Sequence, residues 1–120
     1  MNKPLLGLVL GGVLGIFDGL SALVSAPEVA PQIAGIVIGS TMKGIIAGVL
    51  IGWFARKVDS LPAGIVFGLT VGLILAGIVA AIPGENGEHY YWQIMLPGGL
   101  VGLIVGYATQ RYGRPVTRAA

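Results

Sequence analysis

Asp18 and Lys43 are the residues whose types and positions most favour chemistry, because each is an ionisable side chain inside a long apolar run. Lys43 stands in the stretch GSTMKGIIAG, residues 39 to 48, and Asp18 interrupts the first apolar segment. An unpaired charge at the centre of a bilayer costs roughly 2.5–3.5 kcal/mol even on the mildest scale. We therefore expect these two charges to pair with each other or to be hydrated.

Two interpretations of the charges remain open. In the functional one they line a polar path for an ion, a proton or a small anion, since ionisable groups inside membrane spans usually mark such paths. The predicted lining of the path is Asp18, Lys43, Ser40, Thr41 and Gln93. In the structural one Asp18 and Lys43 form an ion pair that only fixes the register of two helices.

No set of residues suggests catalysis. The hydroxyl residues have no neighbouring histidine to activate them, since the single histidine, His89, lies in the loop GENGEHYYWQ. That loop also holds Glu85 and Glu88, and we interpret it as a solvated loop rather than a metal site. The chain contains no cysteine and no phosphate-binding or dinucleotide-binding motif. We predict no enzymatic activity, no cofactor and no metal.

The composition indicates that lipid is the solvent for most of the surface. Of the 120 residues, 55% are hydrophobic and only 10% are charged, whereas soluble domains carry about 25% charged residues. The net charge of +2 does not indicate nucleic-acid binding, because the basic residues stand at the ends of apolar runs rather than along one face.

Four segments are long enough to cross a hydrocarbon core as helices, which takes roughly 20 residues each. The predicted spans are 5–26, 33–55, 62–82 and 91–108, joined by short loops in a single domain, 1–120. We interpret the first segment as a span rather than a signal peptide, because Asp18 interrupts it and Pro27 would follow the cleavage point.

The charges at the ends of the spans predict the orientation. Six of the seven basic residues fall on one side, namely Lys3, Arg56, Lys57, Arg111, Arg114 and Arg118, whereas the opposite loops carry Glu28, Glu85, Glu88 and His89. Positive charge accumulates on the cytoplasmic side. The sequence therefore predicts a multi-pass protein of the cell inner membrane with both termini in the cytoplasm.

The chain also contains an internal repeat. Residues 7–15 align with 64–72, and 44–57 align with 98–111, which gives repeat units 5–57 and 62–111. Each predicted helix carries three glycines at four-residue spacing: Gly7, Gly11 and Gly15; Gly44, Gly48 and Gly52; Gly64, Gly68 and Gly72; Gly98, Gly102 and Gly106. Chance recurrence in glycine-rich helices is the alternative. A duplicated two-span unit predicts a pseudo-two-fold axis along the membrane normal.

Glycines four residues apart let helix backbones approach closely. Four such ladders could all pack helices within one chain. Alternatively, one ladder remains free to pack against a second copy of the chain, and on that basis we expect a homo-oligomer, most simply a dimer. In the repeat alignment Lys43 corresponds to Pro97, which removes a hydrogen bond from the Gln93 carbonyl inside helix four. The freed carbonyl could bind a cation or water, or the proline could simply kink the helix.

The sequence thus predicts an all-α membrane protein of two tandem glycine-ladder hairpins. We expect an oligomeric channel or transporter for an ion or small polar solute, with the path at a subunit interface because four spans enclose little space. The alternative is a non-transporting scaffold, assembly or lipid-organising subunit in which Asp18 and Lys43 form a structural ion pair.

Overall fold

The computed structural model describes residues 2–25, 27–82, 89 and 91–113. The helices are α1 (Lys3–Leu20), α2 (Ala22–Ser25), α3 (Ile33–Lys57), α4 (Leu61–Ala80) and α5 (Tyr91–Tyr112), with a 3₁₀ helix over Pro27–Gln32. Four segments are long and apolar enough to span a membrane. This confirms an all-helical chain with four candidate spans. Glu85, Glu88, Arg114 and Arg118 lie outside the described residues.

Local chemistry explains where several helices begin and end. The Asn2 side chain accepts a hydrogen bond from the Leu5 amide at 2.8 Å and caps α1, and Ser60 caps α4 through the Ala63 amide at 3.3 Å. The first span is not one continuous helix, because α1 ends at Leu20. There the Ser21 hydroxyl donates to the Asp18 carbonyl at 2.5 Å, which competes with the regular helical hydrogen bonds.

The long helices form two antiparallel pairs. Helix α1 packs mainly on α3, and α4 packs mainly on α5. The pairs meet where α3 contacts α4 and α5, and where α1 contacts α5, whereas α1 and α4 do not contact each other within the described residues. Helices α3 and α5 are therefore central, and α1 and α4 lie on the outside.

The ladder glycines lie where the two helices of a pair cross. A Cβ added to Gly7 would overlap the carbonyl oxygen of Gly48, and the reverse also holds. Gly11 and Gly44 are related in the same way. In the other pair Gly68 and Gly102 face each other, and a Cβ on Gly106 would overlap the Gly64 carbonyl oxygen. Backbone thus packs directly on backbone, as small residues allow in membrane helices.

The two pairs reveal a register that differs from the repeat alignment. Gly11 faces Gly44, but its counterpart Gly68 faces Gly102 rather than Gly98. Contacts and alignment thus differ by four residues in one of the two aligned segments, and the equivalence of Lys43 and Pro97 stays a prediction. The difference has a geometric reason: a ladder with four-residue spacing looks the same after a shift of about one helical turn.

Between the two pairs the contacts involve larger side chains. Ile51 of α3 and Val105 of α5 are fully buried there, with Ala47 beside them. The rings of Phe54 and Phe67 stack at 4.0 Å between centroids, which joins α3 to α4. The outer surface is strongly apolar, and Phe17 and Trp53, among many others, are exposed. Such a surface suits contact with lipid.

Candidate functional site: a buried ion pair where four helices meet

Asp18 of α1 and Lys43 of α3 form an ion pair inside the bundle. Lys43 Nζ lies 3.1 Å from Asp18 Oδ2, and the two side chains are only 12% and 7% exposed, respectively. The contact does not have hydrogen-bond geometry, and Asp18 Oδ2 has no hydrogen-bond partner within the described part of the chain. The two charges cancel, but the carboxylate retains unused hydrogen-bonding capacity.

Small residues on α1 bring the charges together. A Cβ on Gly15 would lie 2.7 Å from the Ser40 carbonyl oxygen, and one on Gly19 would lie 2.8 Å from Val37 Cα. Asp18 stands between these two glycines, so its helix is held close against the segment of α3 that precedes Lys43. The glycine contacts therefore set the distance across which the ion pair forms.

A small cavity adjoins the pair. Its volume is about 10 Å³, which is the lower limit of the space that one water molecule occupies, and the surface that its wall exposes is apolar. All four long helices contribute to its wall. The lining residues are Asp18 of α1; Lys43, Gly44 and Ala47 of α3; Gly72 and Leu75 of α4; and Gly98, Val101 and Gly102 of α5. The site therefore lies at the boundary between the two helix pairs of one chain, and a path at a subunit interface stays a prediction.

Gly98 of α5 is a wall residue that the sequence assigned only to helix packing. A Cβ on Gly98 would lie 2.5 Å from Ala76 Cβ and 3.5 Å from Lys43 Nζ. A methyl group at this position would therefore clash with Ala76, whereas its distance to the ammonium group is an ordinary van der Waals contact. Leu75, Ala47 and Val101 were not predicted as site residues, because an apolar residue in an apolar span carries no distinguishing feature.

The two predicted hydroxyl residues behave differently. Ser40 Oγ is buried and has no hydrogen-bond partner among the described residues, and Ser40 Cβ lies beside Gly19, directly after Asp18 in the chain. Thr41 donates its hydroxyl to the Val37 carbonyl at 2.7 Å, within its own helix. Ser40 therefore keeps a free hydroxyl near the pair, whereas the Thr41 hydroxyl already donates to the backbone.

Gln93 and Pro97 lie on α5 but not in the cavity wall. Gln93 is exposed in the first turn of the helix, and neither residue lines the cavity. Pro97 lies inside α5, directly before Gly98. The structure therefore brings Asp18, Lys43 and Ser40 to one region and leaves Gln93 at the surface.

A second polar cluster lies near the N-terminus of α1 and was missed from the sequence. Lys3 is only 4% exposed, and its Nζ donates to the Ala55 carbonyl at 3.1 Å and lies 3.6 Å from Asp59. Gln110 of α5 donates to the Val58 carbonyl at 2.7 Å. These bonds join α1 and α5 to the end of α3. The lysine also complements the negative end of the α3 dipole.

Comparison of the chain with protein-family models, with curated proteins and with solved structures gave no match. Within the described residues no group of three or more His, Cys, Asp or Glu side chains lies together as a metal site would require. The geometry around Asp18 and Lys43 is therefore the basis for assigning a function to this chain.

Proposed function

We propose that this protein is a small transporter or channel that moves an ion or small polar solute across the cytoplasmic membrane through a site formed by Asp18 and Lys43. The observation that carries the proposal is the ion pair itself, buried beside a cavity to which all four long helices contribute. Charges inside membrane spans commonly mark ion pathways and proton relays.

The proposed orientation places both termini in the cytoplasm. Lys3, Arg56 and Lys57 lie at one end of the α1–α3 pair, because Lys3 bonds to the Ala55 carbonyl. Arg111 stands in the last turn of α5, whose Gln110 bonds to Val58 at the same end of the bundle. The bias of positive charge toward the cytoplasm assigns this end to the inside.

The two helix pairs are the proposed moving parts. Within each pair, glycine backbones are in direct contact, whereas the contacts between the pairs are made by larger side chains such as Phe54 and Phe67. We propose that the pairs are repeats related by a pseudo-two-fold axis along the membrane normal. Rocking of one repeat against the other opens a site at their boundary to alternate sides, as in other repeat-based transporters.

The described conformation is closed toward the proposed cytoplasmic side. Ile51 lies eight residues beyond Lys43 on α3, about 12 Å along the helix axis, and it is fully buried together with Val105. Ile51 and Val105 pack with Ala47 and Val101, which also line the cavity. Access from that side requires the two apolar side chains to separate.

We also propose a homodimer. Gly35 and Gly39 of α3 differ from the ladder glycines, because a Cβ added to either would meet nothing within 4 Å. They share the outward face of α3 with Met42 and Ile46, which are 58% and 51% exposed. A glycine pair at this spacing suits close approach of a second helix.

The test is a flux assay on the purified chain in liposomes. Wild-type protein is compared with the double variant Asp18→Leu/Lys43→Met, which removes both charges and leaves no unpaired ion. Thr70→Val is the matched control, because Thr70 is exposed on α4 and its hydroxyl bonds only to the Val66 carbonyl. We expect flux from wild type and Thr70→Val and none from the double variant. Wild-type protein that moves no ion would contradict the proposal.

A non-transporting scaffold is the second candidate, and one observation favours it. The two charged groups are in direct contact, and the cavity beside them has room for at most about one water molecule. The pair can therefore serve only to fix the register of α1 against α3. In that case the folded double variant retains its association with partner helices, and neither it nor the wild type moves ions.

A further inference from the structure

The geometry points to the proton as the species that the Asp18–Lys43 site translocates, with both side chains acting in turn as its carriers. This inference rests on the proposed function and specifies its substrate class. It depends on three features of the site: the cancellation of charge, the size of the cavity and the unused hydrogen-bonding capacity of buried polar atoms.

The cancellation of charge makes the site a poor binder of inorganic ions. A cation attracted to Asp18 is repelled by the ammonium group 3.1 Å away, and an anion attracted to Lys43 is repelled by the carboxylate. Charged or titratable side chains from α4 and α5 do not line the cavity, whose remaining wall is glycine, alanine, valine and leucine. A third ion therefore gains little net Coulomb energy here. A proton differs, because it forms a covalent bond with the carboxylate.

The size of the cavity also favours a proton over a larger ion. In the described conformation, room for at most about one water molecule does not admit an ion with even part of its hydration shell. A proton needs no such room, because it becomes part of the carboxyl group. Asp18 Oδ2 is buried, and its 3.1 Å contact with Lys43 Nζ lacks hydrogen-bond geometry, so the walls of the site have to separate before a water molecule delivers a proton to it. Ser40 stands three residues before Lys43 on α3, and its hydroxyl, which is buried without a hydrogen-bond partner among the described residues, can both donate and accept a hydrogen bond.

The proposed cycle conserves atoms and charge. Lys43 releases one proton to water on one side and becomes a neutral amine. A hydronium from the other side protonates the Asp18 carboxylate and leaves water. The new carboxylic acid then passes its proton to the Lys43 amine, which restores the ion pair. One proton has crossed, and the acid–amine state before the last step carries no net charge, which suits its apolar surroundings.

The discriminating variant is Lys43→Arg. Arginine keeps the positive charge beside Asp18, but a guanidinium does not release its proton in proteins. A site that attracts ions by charge alone therefore retains flux in Lys43→Arg, whereas a relay through Lys43 loses it. Asp18→Asn removes the carboxyl group at nearly constant shape, Asp18→Glu keeps it, and Thr70→Val is the control outside the site.

The experiment measures acidification of liposomes that contain a pH-sensitive dye, with the membrane potential clamped by a potassium ionophore. Separate experiments measure the flux of chloride and, without the ionophore, the flux of potassium. We expect proton flux from wild type, Asp18→Glu and Thr70→Val. In Asp18→Asn and Lys43→Arg it should fall by about 100-fold, the scale expected when a positioned proton-transfer group is lost. The melting temperature and elution volume of each variant establish that it is folded.

The outcomes separate the two proposals. Flux of chloride or potassium without protons overturns the proton inference and leaves the transport proposal intact. Proton flux that persists in folded Lys43→Arg overturns the relay through Lys43. If Lys43→Arg does not fold, Asp18→Asn decides alone, and proton flux from Asp18→Asn at the wild-type rate overturns the inference. If wild type moves no ion, both proposals fail.

Discussion

Gly98 and Lys43 come from different helix pairs, yet a Cβ added to Gly98 would lie 3.5 Å from Lys43 Nζ. The lysine belongs to the pair α1–α3 and the glycine to α4–α5, so the ammonium group reaches across the boundary between the pairs. The lysine side chain thus ends beside a position of α5 that carries no side chain.

Gly98→Ala should lower the free energy of unfolding, because the new Cβ would lie 2.5 Å from Ala76 Cβ as well as near the ammonium. We expect a loss of about 1–3 kcal/mol, as for other overpacked cores, measured by thermal unfolding in detergent. Gly35→Ala is the control, because a Cβ there meets nothing within 4 Å. It should leave stability unchanged or raise it by about 0.5–1 kcal/mol through helix propensity. Equal effects would contradict the described packing.

Gly11 and Gly12 are neighbours that should respond very differently to alanine. A Cβ on Gly11 would overlap the Gly44 carbonyl oxygen, a backbone atom, whereas one on Gly12 would meet only the Ile45 side chain, at 3.3 Å. Gly11→Ala should therefore cost at least about 2 kcal/mol, and Gly12→Ala much less, because a side chain can shift where a backbone cannot. Chemical unfolding of both variants measures the difference. Similar losses would show that the close contact of α1 and α3 is wrong.

The ion pair predicts strong coupling in a double-mutant cycle. Asp18→Leu or Lys43→Met alone leaves one buried charge without its partner, which costs about 3–5 kcal/mol in comparable sites. The double variant leaves neither charge, and it should be more stable than either single variant. Free energies of unfolding in detergent provide the four corners of the cycle. Additive losses would mean that the two groups do not interact.

Lys3 should matter more for stability than its ion-pair partner. Lys3→Met removes the donor to the buried end of α3 at Ala55 and should cost about 1–3 kcal/mol. Asp59 is 93% exposed, and Asp59→Asn should change stability by at most about 0.5 kcal/mol, since exposed pairs contribute little. Thermal unfolding compares them. A larger loss in Asp59→Asn would assign the stabilising role to the salt bridge instead.

Gly39→Leu tests the proposed dimer face without disturbing the bundle. Nothing lies within 4 Å of a Cβ at Gly39, so the variant should keep its melting temperature as a monomer. In the dimer the leucine would prevent close approach of the second helix, and sedimentation in detergent should show a smaller dimeric fraction. Thr70→Leu, an equally lipid-facing change on α4, is the control and should sediment like wild type. An unchanged dimer in Gly39→Leu would assign the interface to another face.

Much of the fold was predictable from local features of the chain. The predicted spans 33–55 and 62–82 correspond to α3 and α4 within two residues at each end, because length, hydropathy and the capping residue Ser60 act locally. The approach of Asp18 and Lys43 was also predictable, since their positions in consecutive spans give them similar depths. The break of the first span at Ser21 was not predicted, because one hydroxyl residue in an apolar run does not by itself end a helix: Thr41 and Thr70 donate to backbone carbonyls inside unbroken helices.

The sequence by itself determined the helical class and the number of candidate spans, because the hydrophobic effect depends on residue type and spacing. It also determined that Asp18 and Lys43 need a partner, because a lone charge inside an apolar span is costly wherever the helices pack. The tertiary structure alone decided which glycines meet and which residues of α4 and α5 surround the ion pair. A ladder that repeats every four residues fits its partner equally well in several registers. Only the packing of all side chains along the helices selects among them, and that selection decides which residues surround the ion pair.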